Sequence, residues 1–327
     1  MVAVVTGAGH IGCNLVRALL ETDRDVLIVD LREPTALCDL GAQWIRADVR
    51  DATAMASALR HAEVVFHLAA VISVAGSMGG LVESVNVDGV ETTARAALAA
   101  GVPRFVHCSS VHAYDLMACR GTVVKEDSPR ADDPNLPAYD RSKAAGERRL
   151  RTVIDDGLNA VILNPTGVIG PRDDGPSRMG AVLLAAARRR LPATIRGSFD
   201  WVDVRDVVRA LLTAEHRGTT GENYLIGGHS ACVADLARLA ADAADVTPPV
   251  VDLSSGFAHI WSPLASWLAR REPNPLLYTE DSLHALDSQP IVDHSKASAA
   301  LDHRPRPLAE TVADLIRQRL PTATTRD

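Results

Sequence analysis

Short continuous apolar runs alternate with stretches of helical periodicity through the first half of this chain. Val2-Ala3-Val4-Val5 is one such run; glycine-rich residues follow, and helical periodicity takes over from Cys13 to Leu20. A second run, 25–30, is rich in Val and Ile, and further strands are expected at 42–47, 63–68, 104–108 and 160–163. Helical spacing fits 52–60, 81–100 and 139–154. The last of these begins after Asp132-Asp133-Pro134-Asn135-Leu136-Pro137, whose prolines punctuate a helix start. Unbroken apolar strands separated by helices predict an α/β chain with a parallel sheet covered on both faces.

The second half is less regular. Residues 170–180 read as a loop containing Pro171, Gly175 and Pro176, a helix follows to about Arg190, and 202–214 reads as a strand entering a helix. Residues 257–268 are apolar and carry Trp261 and Trp267. They suit either the core of a second lobe or a wall over a substrate pocket.

Composition narrows the picture. Of 327 residues, 47% are apolar and only 4% aromatic, so a large core is possible but must be built mainly of Ala, Val, Leu and Ile. The net charge is −7 and no basic stripe occurs, which argues against a nucleic-acid partner. Arg188-Arg189-Arg190 is too short a run to change that and reads as a solvated helix end. The five cysteines, Cys13, Cys38, Cys108, Cys119 and Cys232, are scattered and odd in number, the pattern of neither a disulfide framework nor a zinc site. A reducing cytoplasm is the simplest expectation. Gly7 interrupts the first apolar run, which reads as a strand rather than a signal peptide. No segment reaches the roughly 20 apolar residues that span a bilayer.

Candidate chemistry begins at Thr6-Gly7-Ala8-Gly9-His10-Ile11-Gly12, a G-x-G-x-x-G between a strand and a helix. Gly7 permits the tight turn, Gly9 lets a pyrophosphate approach the backbone, and Gly12 lets the helix sit close to the strand. The helix N-terminus offers free N–H groups to the phosphates. Asp30 closes the second strand eighteen residues beyond Gly12, where a carboxylate accepts both ribose hydroxyls of an adenosine and repels a 2′-phosphate. NAD is therefore expected over NADP, with Arg32 the residue that could cradle a 2′-phosphate. Asp48, with Val49 beside it, sits where a third strand should end and is placed to touch the adenine.

Tyr139 and Lys143 stand four residues apart, on one face of the expected helix. A free tyrosine has a pKa of about 10, and bringing it to about 7 takes roughly 4 kcal/mol of preferential stabilisation of the phenolate. A cation about 4 Å away at an effective dielectric near 20 supplies about that much. Such a pair can exchange protons at neutral pH, although Tyr-x-x-x-Lys alone occurs in many helices.

Together these residues resemble the extended short-chain dehydrogenase/reductase superfamily over nearly the whole chain. Thr6–Gly12 is similar to its glycine loop, though one residue shorter than the family's G-x-x-G-x-x-G. His67-Leu68-Ala69-Ala70 resembles its signature after the fourth strand, and Asn86-Val87-Asp88-Gly89 its helix motif, in which Asn86 steadies the central sheet. Cys108-Ser109-Ser110-Val111-His112-Ala113-Tyr114 resembles the segment carrying the catalytic serine, which falls on Ser110. The resemblance makes Tyr139 and Lys143 the catalytic pair, and makes Asn164-Pro165-Thr166-Gly167-Val168 part of the turn that contacts nicotinamide and opens the substrate lobe. The implied cofactor-binding set is Gly7, Gly9, His10, Ile11, Gly12, Asp30, Arg32, Asp48, Val49, Leu68, Ala69, Ala70, Asn86, Tyr139, Lys143, Asn164, Thr166, Gly167 and Val168. His112, two residues after Ser110, could face the substrate, with Ser110, Arg178 and Met179. His10, His67, His107 and His112 lack ligand spacing with a third partner, so no metal is expected.

The implied organisation is a Rossmann-type doubly wound sheet over 1–165 that binds NAD. A smaller substrate-binding lobe follows over 166–327, with about 194–216 returning to the sheet. Pro176-Ser177-Arg178-Met179-Gly180 and the stretch 199–207 resemble the dihydroflavonol-reductase-like branch, which includes aldehyde and ketone reductases and proteins labelled as sugar epimerases. UDP-sugar epimerases and dehydratases carry an arginine just before the Asp-aromatic-Val element; here Phe199 stands there, and Arg196 is three residues earlier. A diphosphate without that arginine loses strong charge-assisted bonds. The expectation is an NAD(P)-dependent oxidoreductase acting on an aldehyde, a ketone or the matching alcohol by a Ser-Tyr-Lys mechanism. The alternatives are a nucleotide-sugar epimerase or dehydratase with tightly bound NAD, and a non-catalytic dinucleotide sensor, which would have no need of a proton donor. A small-molecule substrate, no membrane partner, and a homodimer through the 81–100 and 139–154 helices complete the expectation.

Overall fold

The computed structural model describes residues 2–73, 76–173, 175, 177–191, 193–195, 197–249, 252–253, 262 and 279–320. The first elements alternate as the hydrophobic pattern requires: β1 (Val2–Thr6), α1 (His10–Leu20), β2 (Asp25–Asp30), α2 (Thr35–Cys38), β3 (Gln43–Arg46), α3 (Ala52–Ala58) and β4 (Ala62–His67). A helical stretch then runs through α4 (Leu81–Glu83), a π-turn (Ser84–Asp88) and α5 (Gly89–Ala99), followed by β5 (Arg104–Cys108), β6 (Val123–Val124), α6 (Ala138–Asp155) and β7 (Ala160–Pro165). The remainder comprises β8 (Gly167–Ile169), α7 (Arg178–Ala187), β9 (Thr194–Ile195), β10 (Ser198–Asp203), α8 (Val204–Arg217), β11 (Asn223–Ile226), β12 (His229–Cys232), α9 (Val233–Ala243), β13 (Asp252–Leu253), β14 (Ile291–Val292) and the helices Glu280–Ser288, Ser295–Leu301 and Leu308–Arg319.

Seven strands form one sheet in the order β11-β7-β5-β4-β1-β2-β3, and every pairing in it is parallel. The chain leaves β1 toward β2 and β3, then crosses back to β4 on the other side. This reversal makes β1/β4 the topological switch point, where a crevice opens at the carboxyl ends. The period of two along each strand sorts side chains to two cores. Ala3 and Val5 meet Leu15, Val16 and Leu19 of α1 and Val207 and Leu211 of α8 on one face. Val4 and Val65 meet Met55, Val90, Ala94, Ala97 and Leu150 on the other. A third core lies in the second half of the chain, where α7, α9 and Leu308–Arg319 pack around Phe199 and Trp201.

Two details depart from the sequence reading. Residues 194–203 stay out of the large sheet: β9 pairs with β13, and β10 pairs with β8 and β12. The return is made by α8, which packs on the sheet face, and by β11, which extends its edge beside β7. The helix expected over 81–100 is interrupted by the π-turn at Ser84–Asp88. α6 presses on that turn so closely that a Cβ at Gly146 would lie 2.2 Å from the Asn86 carbonyl oxygen. No helix among the described residues is long and apolar enough to cross a membrane.

His67, at the end of β4, and His107, its register partner in β5, are buried, stacked rings with centroids 5.5 Å apart. Burial, with Lys143 adding to it, lowers His67 to about 3. Burial, with His67 and Lys143 adding, drives His107 well below its ordinary value. Both are neutral in the fold but titrate near 6.5 when unfolded. The stability they contribute is complete above about pH 6.5 and is lost as pH falls below it, on the order of 1.4 kcal/mol per pH unit for each ring. Urea midpoints measured from pH 7 to pH 5 should therefore fall steeply, and less steeply, by about one proton, in His67→Asn. Equal slopes in the two proteins would contradict this.

Candidate active site

The glycine turn is built by close contact. Gly7 has φ +85°, and a Cβ there would lie 2.8 Å from the backbone of Ala69; a Cβ on Gly12 would lie 2.0 Å from the Gly7 carbonyl oxygen. The Leu68 amide donates to the Thr6 carbonyl at 3.0 Å, so Leu68, Ala69 and Ala70 run directly against the turn. Gly9 is different: a Cβ there would meet nothing within 4 Å. That open cradle at the start of α1, next to the amides of its first turn, fits a pyrophosphate. A clean contrast follows. Gly9→Ala should leave the melting temperature unchanged while weakening NADH binding about tenfold or more, a loss of about 1.4 kcal/mol or more. Gly12→Ala should lower both, and calorimetry with a fluorescence titration separates the two effects. Unaltered NADH affinity in Gly9→Ala would remove the cradle.

Around this turn the expected cofactor residues divide. Asp30 is aimed at it: Oδ2 accepts from the Ala8 amide at 2.8 Å and Oδ1 from the Arg32 amide at 2.9 Å, while the rest of Arg32 is exposed. Ile11 packs part-buried against the sheet core. Four other residues do something else with their side chains. His10 Nε2 lies 3.0 Å from the Pro171 carbonyl, tying the turn to the loop after β8. Asp48 is held by Arg50, whose Nε and Nη2 donate to it at 2.9 and 2.6 Å, and these hydrogen bonds, with the guanidinium charge adding to them, keep the carboxyl below its usual range. Val49 is buried against Gly89 at the start of α5. Asn86 exchanges hydrogen bonds with the Val71 backbone at 2.8 and 3.0 Å and donates to Ser142 Oγ at 2.9 Å, fastening the loop after β4 to α6. Its amide supports the crevice wall rather than lining the crevice.

Ser110, Tyr139 and Lys143 meet at the carboxyl edge of β5. The extended backbone at Ser110 turns its hydroxyl toward the His112 amide, which donates to it at 3.2 Å. α6 then brings Tyr139 and Lys143 to one face, with the Lys143 ammonium 5.8 Å from the centre of the Tyr139 ring. Lys143 is buried, and among the described residues no carboxylate lies within ion-pair distance of it. A buried ammonium without a carboxylate is costly and marks a working site. Burial pushes the Tyr139 phenol up, and the hydrogen bond with Ser110 pulls it back in part, while Asp140 and Cys108 add to the rise. Burial also pulls Lys143 down, against the pull of Cys108 and Glu147. Burial, the largest influence on the phenol, thus acts in the direction opposite to the shift expected from the spacing.

His112 lies between three groups. Its ring stacks on Phe199 with centroids 5.5 Å apart and planes 14° apart, and it stands edge-on to Tyr139, also at 5.5 Å. Its Nδ1 is 3.1 Å from Asp140 Oδ1. Burial would lower the imidazole, but the Asp140 carboxylate overrides it and the net shift is upward.

Behind this group lies a polar hub that the sequence reading passed over. Glu147, 1% exposed, accepts from Ser109 Oγ at 2.6 Å, Asn164 Nδ2 at 2.6 Å, Asn223 Nδ2 at 2.9 Å and the Arg130 guanidinium. Asn164 also donates to the Ser110 carbonyl at 2.9 Å. The hub therefore joins α6, the Ser109–Ser110 turn, β7 and β11. The side chain of Asn164, a residue expected at the nicotinamide, is part of this hub. The available signal was periodicity: Glu147 repeats the four-residue spacing of Tyr139 and Lys143, so it had to share their buried face.

The remaining candidates flank the site. Thr166 is buried beside the Ile226 carbonyl, and its amide donates there at 3.2 Å. A Cβ at Gly167 would meet the Trp201 ring at 2.6 Å, and Val168 packs part-buried against the sheet core. Arg178 and Met179 open α7, with Met179 packed on the second-lobe core. Arg196, Pro176, Trp261 and Trp267 lie outside the described residues. Among the described residues, no group of three or more His, Cys, Asp and Glu is placed to hold a metal ion.

The model of one family, the NAD dependent epimerase/dehydratase family, matches residues 3–227. The chain belongs to this family. Within the NAD dependent epimerase/dehydratases it is similar to the "Sterol demethylase protein B" of Methylococcus capsulatus, 31% identical over 324 residues and 97% of both chains. It is also similar to a "Putative dihydroflavonol 4-reductase" of Synechocystis, 32% identical over 237 residues, 68% of this chain and 66% of that one. The crystal structure of gox2253 superposes with a TM-score of 0.82 at 30% identity, covering 97% of each chain. The chain thus has a Rossmann-type fold and belongs, within the extended short-chain dehydrogenase/reductase superfamily, to an NAD-dependent enzyme family.

Proposed function

We propose that this chain interconverts an alcohol and its carbonyl compound with NAD(H). The observation that carries this reading is the convergence of Ser110, Tyr139 and a buried Lys143 at the carboxyl edge of the sheet that also holds the Gly7–Gly12 turn. The turn would hold the pyrophosphate and Asp30 the adenosine ribose, whose 2′-phosphorylated form the same carboxylate disfavours. Lys143 would hold the nicotinamide ribose. When bound, the nicotinamide exchanges a hydride with the substrate carbon. Ser110 donates a hydrogen bond to the substrate oxygen and fixes its distance. Tyr139 gives that oxygen its proton in the reductive direction and takes one in the oxidative direction. A cation favours a phenolate, and the Lys143 ammonium lies one turn along α6, 5.8 Å from the centre of the Tyr139 ring.

The substrate is read as apolar. Phe199, where epimerases and dehydratases of UDP-sugars carry an arginine, is 4% exposed and packs on His112 and Trp201. The full-length relative is named for a sterol and the second for a dihydroflavonol, which supports the same choice. The chain's place in the epimerase/dehydratase family favours a second reading, a nucleotide-sugar epimerase or dehydratase with tightly held NAD. Absorbance at the reduced-nicotinamide band separates the two. Added NADH consumed in step with an aldehyde or ketone supports the oxidoreductase; turnover of a UDP-sugar with no net absorbance change replaces it. A homodimer through α5 and α6 in a reducing cytoplasm belongs to the proposal as well. The outward faces of these helices carry the ion pairs Arg95–Glu91, Arg149–Glu91 and Arg95–Asp156.

A further inference from the structure

Serine, tyrosine and lysine account for one substrate oxygen. They leave His112 and Asp140 without a task, although both stand in contact with the site. Asp140 follows Tyr139 in the first turn of α6, where the helix dipole favours a carboxylate, and is 5% exposed. Its Oδ1 stands 3.1 Å from Nδ1 of His112. The face of the imidazole lies flat on Phe199, so the ring plane is held as well. The stack on Phe199 and the carboxylate beside Nδ1 together limit the directions open to the other nitrogen. Nδ1 is fully buried and faces Asp140 at ion-pair distance, off the line of a hydrogen bond, yet a fifth of the His112 side chain remains exposed, so the accessible part of the ring is away from Asp140. A carboxylate at Nδ1 selects the tautomer with hydrogen there. It also steadies the imidazolium, leaving Nε2 to act on a ligand. The edge-on contact with Tyr139, at 5.5 Å between centroids, sets the imidazole ring beside the ring of the phenol that would serve the reacting oxygen.

We propose that His112, positioned by Asp140, is a substrate-binding residue whose Nε2–H donates to a second oxygen on the substrate, on the carbon next to the one that reacts. This inference rests on the oxidoreductase reading and sharpens it. The substrate class becomes apolar molecules with two neighbouring oxygen functions, such as a diketone or a hydroxyketone, rather than simple ketones. The pair suits a neutral oxygen, because Asp140 already balances an imidazolium charge. Phe199 serves as the platform that holds the ring.

The test uses two probes of one shape, 1-phenylpropane-1,2-dione and 1-phenylpropan-1-one, with NADH and the full chain. The readout is the ratio of kcat/KM for the diketone to that for the monoketone. Wild type should favour the diketone at least tenfold. His112→Phe, which keeps the stack on Phe199 but removes the nitrogen, should bring the ratio down at least tenfold. Asp140→Asn should lower it in part, and His112→Gln, whose amide reaches the same place as Nε2, should restore much of it. NADH affinity by fluorescence titration shows that each variant is folded. Should His112→Phe fold poorly, His112→Asn, whose amide falls short of the Nε2 position, gives the same reading. A wild-type ratio near one, or a ratio that the His112 variants do not move, overturns the inference and leaves the oxidoreductase reading standing. If wild type binds NADH but reduces neither probe, the oxidoreductase reading fails and takes this inference with it.

Discussion

Replacing Tyr139 by Phe should lower turnover by roughly 10²–10⁴-fold, the range for removing a positioned acid–base group. The loss should lie in kcat and kcat/KM together, because the hydroxyl matters most where the proton is in flight. NADH affinity should change little, since Phe keeps the ring that stands edge-on to His112 and beside the Lys143 ammonium. The effect is sharpened by what surrounds the phenol. Burial raises it, Ser110 draws it down, and the ammonium sits one helical turn away. A group placed this way has few substitutes for delivering a proton. Wild-type turnover in the Phe variant on a verified ketone would show that the proton takes another route, and the proposed roles of Ser110 and Lys143 would fall with it.

The second large effect is on stability. Glu147→Gln should destabilise the fold by about 3–5 kcal/mol, the usual cost of removing one partner from a buried ion pair. The reason is a count of donors. Ser109, Asn164, Asn223 and Arg130 all donate to the two carboxylate oxygens. A glutamine of the same shape offers one oxygen to four donors and aims its own N–H groups at the rest. Arg130 would also lose its charge partner, keeping only its stack over the Tyr114 ring at 4.2 Å. Urea unfolding monitored by circular dichroism measures the difference. A loss under about 1 kcal/mol would mean that the hub is looser than these distances indicate. Because the hub holds the Ser109–Ser110 turn against α6, the surviving folded enzyme should also lose kcat more than it gains in KM.

How much of this was legible beforehand differs from element to element, for physical reasons. β2 and β5 were read to the residue, because each centres on a run of mostly β-branched or aromatic apolar residues, Val26–Val29 and Phe105–Val106, that marks a parallel strand without its partner. The π-turn at Ser84–Asp88 left no mark in the periodicity. It depends on α6 pressing against the helix at Gly146, a contact between segments far apart in the chain. The return to the sheet was placed too early because β10, which runs directly into α8, reads as one more strand of the alternating series. Only its pairing with β8 and β12 shows that it belongs elsewhere.

The site divides in the same way. The glycine turn was legible because its constraint is local: Gly12 must lack a Cβ to clear the Gly7 carbonyl five residues back. Asn86, Asn164, His10 and Asp48 were assigned to the cofactor by position along the chain. Their amide, imidazole and carboxylate groups turned out to be engaged with Val71, Glu147, Pro171 and Arg50. A polar side chain takes the strongest partner within reach, and what is within reach is a matter of three dimensions.

The sequence by itself determined the alternation of strand and helix, the cofactor turn, and the shared face of Tyr139 and Lys143. Each of these follows from the spacing of residues within one or two turns of backbone. The tertiary structure decided which side chains answer one another across the fold: Glu147 with Ser109 and Asn223, and His112 with Asp140 and Phe199. It also decided the direction of the Tyr139 shift, because desolvation depends on everything packed around the phenol and not on the residue four places along.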